Sequence, residues 1–137
     1  MQAQELDIEA IISNLQKVQS FVREQVKTVP CPMRVLMQID IAVEEIFINI
    51  ASYAYIPKKG RATIRVEVTE DPASVTISFA DKGIPYNPLA KEDPDISLPV
   101  SERRIGGLGV FMTKKIMDSV SYEHRDGKNI LTMKKNL

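Results

Sequence analysis

Arg61-Ala62-Thr63-Ile64-Arg65-Val66-Glu67-Val68-Thr69 and Ser74-Val75-Thr76-Ile77-Ser78-Phe79-Ala80 are the stretches that decide the fold. In the first, Ile64, Val66 and Val68 alternate with Arg65, Glu67 and Thr69. In the second, Val75, Ile77 and Phe79 alternate with Thr76 and Ser78. Successive side chains of a strand leave on opposite faces, so a period of two predicts strands with one buried face. Asp71-Pro72 lies between them and predicts a turn, which makes the pair an antiparallel hairpin.

Outward from this hairpin the period changes. Upstream, Ile8, Ile11, Ile12, Leu15, Val18, Val22 and Val26 recur at three and four residues, which predicts one amphipathic helix. Pro30 and Pro32 punctuate the chain, with Pro32 suited to the first turn of the next helix. Val35, Leu36, Ile39, Val43, Ile46, Phe47 and Ile50 define that second helix, ending near Tyr53. Downstream, Lys82 to Ile105 holds four prolines and little periodicity. A loop longer than about 15 residues in a small domain is usually functional or disordered. Helical spacing returns from Gly107 to Ser119, and Ser121–His124 with Asn129–Lys134 predicts a closing hairpin across Asp126-Gly127. Helices, strands, a long loop, a helix and strands, in that order, predict an α+β two-layer sandwich.

The 137 residues suit one domain spanning residues 1–137, and 44% apolar content is enough for its core. Eighteen basic and eighteen acidic residues cancel, so no pervasive basic field draws in nucleic acid or anionic lipid. One cysteine, Cys31, excludes an internal disulfide and a cysteine metal cluster. The only histidine, His124, stands beside a turn far along the chain and reads as a strand end, not as a base for Cys31. The apolar run Ile39–Ile56 is broken by Asp40, Glu44 and Glu45 and is too polar to span a bilayer. Met1–Asp7 lacks the basic and apolar segments of a signal peptide, so the expected compartment is cytoplasm. The six methionines read as core filler.

Three patterns bear on chemistry. On the second helix, Glu45 and Asn49 are four residues apart, share a face and lie about 6 Å apart along the axis. A carboxylate and an amide there suit a hard cation, because Mg²⁺ takes oxygen ligands and keeps waters; a solvated polar stripe is the plain alternative. Next, Asp81-Lys82-Gly83-Ile84-Pro85-Tyr86-Asn87-Pro88 begins where the second strand runs out. An ionised Asp81 only accepts hydrogen bonds, which suits an exocyclic amine such as that of adenine, though a strand-ending turn has the same composition. Last, Gly106-Gly107-Leu108-Gly109 opens a helix, where backbone N–H groups and the helix dipole favour phosphate. Close packing of the turn would also call for glycine. Neither the Walker pattern nor Gly-x-Gly-x-x-Gly after a strand is present.

In this order the patterns resemble the N, G1 and G2 boxes of the GHKL (Bergerat-fold) ATPases. Among these, the sequence is similar to the anti-sigma-factor serine kinase branch, where Asp-x-Gly-x-Pro-[Phe/Tyr]-Asn-Pro and Gly-Gly-[Leu/Met]-Gly are characteristic. A Met-Asp pair follows in the last helix, here Met117-Asp118. The resemblance runs from Ile12 to Met133 and implies a mixed, mostly antiparallel sheet. It also implies ATP and Mg²⁺ as cofactors, with Asn49 holding the metal and Glu45 acting as general base. Asp81 would read the adenine amine with Gly83 beside the base, and Thr132 would support Asp81 through a water from the final strand. Gly107, Leu108 and Gly109 would contact phosphates. Arg104, or its neighbour Arg103, would offset charge at the γ-phosphate, unless both are solvated lid charges; Lys114 and Lys115 read as a solvated helical face. The implied activity is phosphorylation of a small antagonist protein by a protein serine/threonine kinase that also sequesters a sigma factor, as a possible homodimer. One departure stands out: many members carry His-Ala-Tyr after the N box, whereas this chain has Tyr53-Ala54-Tyr55. It motivates an alternative, an ATP- or ADP-gated protein-binding regulator without phosphotransfer.

Overall fold

The computed structural model describes residues 2–54, 60–90 and 107–137. The chain opens on a strand, β1 (Gln2–Glu9), followed by helices α1 (Leu15–Val26) and α2 (Met33–Asn49). Strands β2 (Arg61–Thr69) and β3 (Ser74–Asp81) come next, then α3 (Gly107–Ile116), β4 (Ser119–Arg125) and β5 (Lys128–Asn136). The sheet order is β1-β2-β3-β5-β4. Each of the four pairings is antiparallel, so the mixed sheet implied by the family resemblance is corrected to an antiparallel one among the described residues.

The hairpin β2–β3 forms as its alternation predicts, with Ile64 opposite Phe79 and Val66 opposite Ile77. These four are at most 1% exposed, and they face Val18, Val22 and Val26 of α1 and Ile39, Val43 and Phe47 of α2 in one core. Thr76, Ser78 and Thr132 alternate with the core set and lie on the opposite, partly exposed face. The structure is therefore a two-layer α+β sandwich with helices packed on one sheet face.

The first helix is shorter than its periodicity suggests. Ile8 belongs to β1, opposite Ala62, and Leu6 lies opposite Ile64. Leu6 and Ile8 satisfy a period of two as well as the helical series, and pairing with the free edge of β2 decides between them. Asn14 ends the crossover by donating its side-chain amide to the Glu9 carbonyl at 2.9 Å. Pro32 sits one residue ahead of α2, where its carbonyl accepts from the Leu36 N–H at 3.1 Å. Arg23 of α1 bonds Asp40 of α2 at 2.9 Å, tying the helices side by side. After Asn49 the helix widens into a π-type turn, Ile50–Ala54. At the closing hairpin Asp126 (φ 55°) and Gly127 (φ 76°) form the two-residue turn, with both φ values positive as this tight connection requires. Of the methionines, Met117 and Met133 are core, whereas Met33 (69% exposed), Met37 (58%) and Met112 (43%) are on the surface. Among the described residues no helix is long and apolar enough to cross a membrane.

Candidate functional site

The π-type turn after α2, the loop after β3 and the β4–β5 hairpin come together beside one end of the sheet. They frame a cleft with about 400 Å³ of empty space, part of it open to solvent. Its apolar wall comes from Ile46 and Ile50 of the α2 region and from Phe79 and Leu131 of the sheet. Asn49, Asp81, Tyr122 and Asn129 supply polar groups. An apolar slot with few convergent polar groups is the usual form of a small-ligand site.

Asp81 ends β3 and is only 6% exposed. Strand alternation points it to the helix side, in line with Phe79 and Ile77. A carboxylate this buried needs hydrogen bonds to offset lost hydration. Its Oδ1 accepts two, from the Gly83 N–H at 2.9 Å and from Asn129 Nδ2 at 3.0 Å. The first closes a tight turn of the kind that Asp favours. Gly83 is also pressed against the π-type turn: a Cβ there would meet the Ala54 carbonyl oxygen at 2.2 Å. That oxygen accepts from the Ile84 N–H at 3.0 Å. Absence of a side chain at Gly83 thus lets the loop dock on the end of α2. Further on, Asn87 Oδ1 accepts from the Leu89 N–H at 2.9 Å, and Pro88 is buried against the cleft.

Glu45 and Asn49 occupy one line of α2, as their spacing predicts. Asn49 lines the cleft and its amide makes no hydrogen bond among the described residues. Glu45 lies one turn earlier and does not line the cleft wall. Burial, and then the neighbouring Glu44 carboxylate, raise its pKa above the ordinary glutamate value. Among the described residues no group of three or more His, Cys, Asp or Glu could hold a metal. A cation here would draw on Asn49, ligand oxygens and water, a donor set that fits Mg²⁺ and not a softer metal. Gly107, Leu108 and Gly109 form the first turn of α3, whose backbone N–H groups lack intrahelical acceptors. Arg103 and Arg104 lie outside the described residues.

Thr132 is the expectation that fails. It pairs with Ser78, three positions along the strand from the Asp81–Asn129 pair, and its hydroxyl lies 3.3 Å from that of Ser78 on the far face of the sheet. An odd number of steps along a strand reverses the face, so Thr132 cannot reach Asp81. Asn129, 6% exposed, holds that place instead. Sequence reasoning passed it over, although the signal was present: a two-residue turn at Asp126-Gly127 fixes the register, and inward Leu131 and Met133 put Asn129 inward too. Tyr122 was also missed; its hydroxyl donates to Asn129 Oδ1.

Comparison with known proteins fits this geometry. Residues 8–135 match the histidine kinase-like ATPase domain family. The serine/threonine-protein kinase BtrW of Bordetella bronchiseptica is 28% identical over 100 residues, which cover 73% of this chain and 70% of that protein. The serine-protein kinase RsbW of Bacillus mycoides is 33% identical over 98 residues, covering 69% of this chain and 60% of that one. Among solved structures, the RsbU and RsbW domains of a Mycobacterium tuberculosis protein superpose with a TM-score of 0.70 at 16% identity, over all of this chain and 33% of the other. The histidine kinase domain of a blue-light-activated kinase from Erythrobacter litoralis gives 0.60 at 15% identity, over 92% of this chain and 60% of the other. At these identities the two superpositions show a shared fold. With its match running nearly end to end, this chain belongs to the histidine kinase-like ATPase domain family of the GHKL superfamily.

Proposed function

We propose that this chain is an ATP- and Mg²⁺-dependent protein serine/threonine kinase of the anti-sigma type. The observation that carries the proposal is one cleft lined by both Asn49 of α2 and the buried Asp81 of β3. In this reading Asp81 accepts from the adenine amine, and Ile46, Ile50, Phe79 and Leu131 cover the base. The first-turn N–H groups of Gly107, Leu108 and Gly109, which have no intrahelical acceptors, donate to phosphate oxygens. Asn49 holds Mg²⁺ through its amide oxygen. Bound there, the ion supplies positive charge against the phosphates. Glu45 takes the proton of the acceptor hydroxyl as that oxygen bonds to the γ-phosphorus and the bond to the leaving ADP oxygen breaks. Its raised pKa makes it a stronger base than an ordinary glutamate. Arg104 offsets charge on the transferring group.

A protein acceptor is supported by the surface beside the site. Met33, Met37 and Ile41, the last 44% exposed, precede Glu45 and Asn49 at successive four-residue steps on α2. The apolar ridge therefore runs into the line of the base. Relatives named as serine/threonine- and serine-protein kinases support a serine acceptor; the family resemblance adds that this serine lies on a small antagonist protein and that a sigma factor is held when the antagonist is absent. A dimer, as in the family resemblance, belongs to the same proposal.

The test uses γ-labelled ATP, Mg²⁺ and a small antagonist protein of the kind the family resemblance implies. Label transfer to a serine that is lost in Glu45→Ala, with ATP still bound, supports the kinase. ATP-dependent capture of the partner that survives Glu45→Ala, without transfer in the wild type, replaces it with the gated regulator suggested by Tyr53.

A further inference from the structure

Asn129 joins the loop after β3 to the β4 strand through every polar atom of its amide. Its Nδ2 donates to Asp81 Oδ1 at 3.0 Å and to the Ile84 carbonyl at 2.8 Å, with the Gly83 carbonyl at 3.5 Å. Its Oδ1 accepts from the Tyr86 backbone N–H at 3.2 Å and from the Tyr122 hydroxyl. All of the amide's capacity is thus directed at the Asp81–Tyr86 loop and the β4 strand. The orientation of the amide is dictated by backbone groups of fixed character. Turned over, its oxygen would face the Ile84 carbonyl and the Asp81 carboxylate, and its NH₂ would face the Tyr86 N–H.

Two consequences follow for Asp81. The carboxylate cannot rotate freely, because Oδ1 is held by Gly83 on its own loop and by Asn129 on the neighbouring strand. Neither bond uses Oδ2, so one acceptor oxygen is left for the cleft that Asp81 lines. A fixed, single acceptor takes one N–H and opposes a carbonyl oxygen. A purine with a 6-amino group meets that demand, and one with a 6-oxo group or a bare 6-position does not.

We infer that Asn129 is a positioning residue that sets base selectivity: by clamping Asp81 it makes the cleft choose purines bearing a 6-amino group. The inference rests on the proposal that Asp81 reads the base. Asn129 need not touch the nucleotide. It holds the acceptor in place, and the near-isosteric Asn129→Asp keeps its shape while setting two carboxylates against each other.

Calorimetric titration of the full chain with ATP, GTP and purine riboside triphosphate, which lacks the 6-amino group, tests this. Wild type is expected to prefer ATP over purine riboside triphosphate by about tenfold or more, the worth of one buried hydrogen bond to a charged acceptor. In Asn129→Asp the preference for ATP over purine riboside triphosphate is expected to fall below about threefold. Tyr122→Phe, which removes one donor to the amide, is expected to lower the preference part way, and it carries the test if Asn129→Asp does not fold. If either variant weakens all three nucleotides equally and keeps the wild-type preference, Asn129 merely supports the fold and the inference is overturned. A wild type with no preference for the 6-amino group would instead overturn the role of Asp81, and this inference with it.

Discussion

Replacing Gly83 with alanine would force a side chain into a space the backbone already fills. The added Cβ would stand 2.2 Å from the carbonyl oxygen of Ala54 and 2.7 Å from both its carbonyl carbon and its Cβ. Comfortable separation is ~3.5 Å, so the loop must retreat by about 1 Å. It is held on three sides: by Gly83 N–H to Asp81, by Ile84 N–H to the Ala54 carbonyl, and by Asn129 to the Ile84 carbonyl. Overpacking of this kind costs about 1–3 kcal/mol. Breaking the Ile84–Ala54 hydrogen bond adds about 1 kcal/mol. The expected loss is therefore about 2–4 kcal/mol. With a urea slope of about 2 kcal/mol/M, the unfolding midpoint should fall by about 1–2 M. Gly127→Ala is the control, because Gly127 has φ 76° but open space around it. That change meets only backbone strain, about 1 kcal/mol. Urea unfolding followed by circular dichroism compares the two. If Gly83→Ala unfolds no earlier than Gly127→Ala, the tight contact with Ala54 is not what demands glycine there.

Four further outcomes are expected. Asp81→Ala should weaken ATP binding with or without Mg²⁺, whereas Asn49→Ala should weaken it only when Mg²⁺ is present, as read by calorimetry; equal effects in both conditions would refute the division of roles. Thr132→Val, on the far face of the sheet from Asp81, should leave ATP affinity within about twofold of wild type. Phe47→Ala should cost about 3–5 kcal/mol in the same urea experiment, because the ring is fully buried between the layers. Glu45 binds its proton more tightly folded than unfolded, so its contribution to stability is present below the ordinary glutamate pKa and lost as pH rises through the raised folded value. Glu45→Gln should therefore gain stability relative to wild type as pH rises above the ordinary glutamate range, and should abolish the proposed phosphotransfer; a variant that loses relative stability over that rise would contradict the assigned cause.

Much of the fold was legible because its signals are local. Alternation from Ile64 to Phe79 marked a hairpin, and spacing from Val35 to Ile50 marked α2. Glu45 and Asn49 fall on one helical line for the same reason: helix geometry is set within a turn. The first strand was not legible, because Leu6 and Ile8 fit both periods and only the open edge of β2, far away in sequence, chooses between them. Thr132 misled because a resemblance transfers residue types without checking strand parity, and one step of register changes the face. The exposed methionines of α2 misled for a similar reason. Apolar composition marks a helix as having a buried face, but Met33 and Met37 lie on its other side.

By itself, then, the chain's sequence determined the hairpins, the helix that bears Glu45 and Asn49, the glycine-opened α3 and the family to which they belong, since each is written in neighbours a few residues apart. The tertiary structure decided what those pieces do to one another. It set β1 at the sheet edge, pressed Gly83 onto Ala54, and brought Asn129 to Asp81 across 48 residues of chain. Such contacts depend on strand register and layer packing. These minimise free energy over the whole molecule, and no local stretch of residues encodes them.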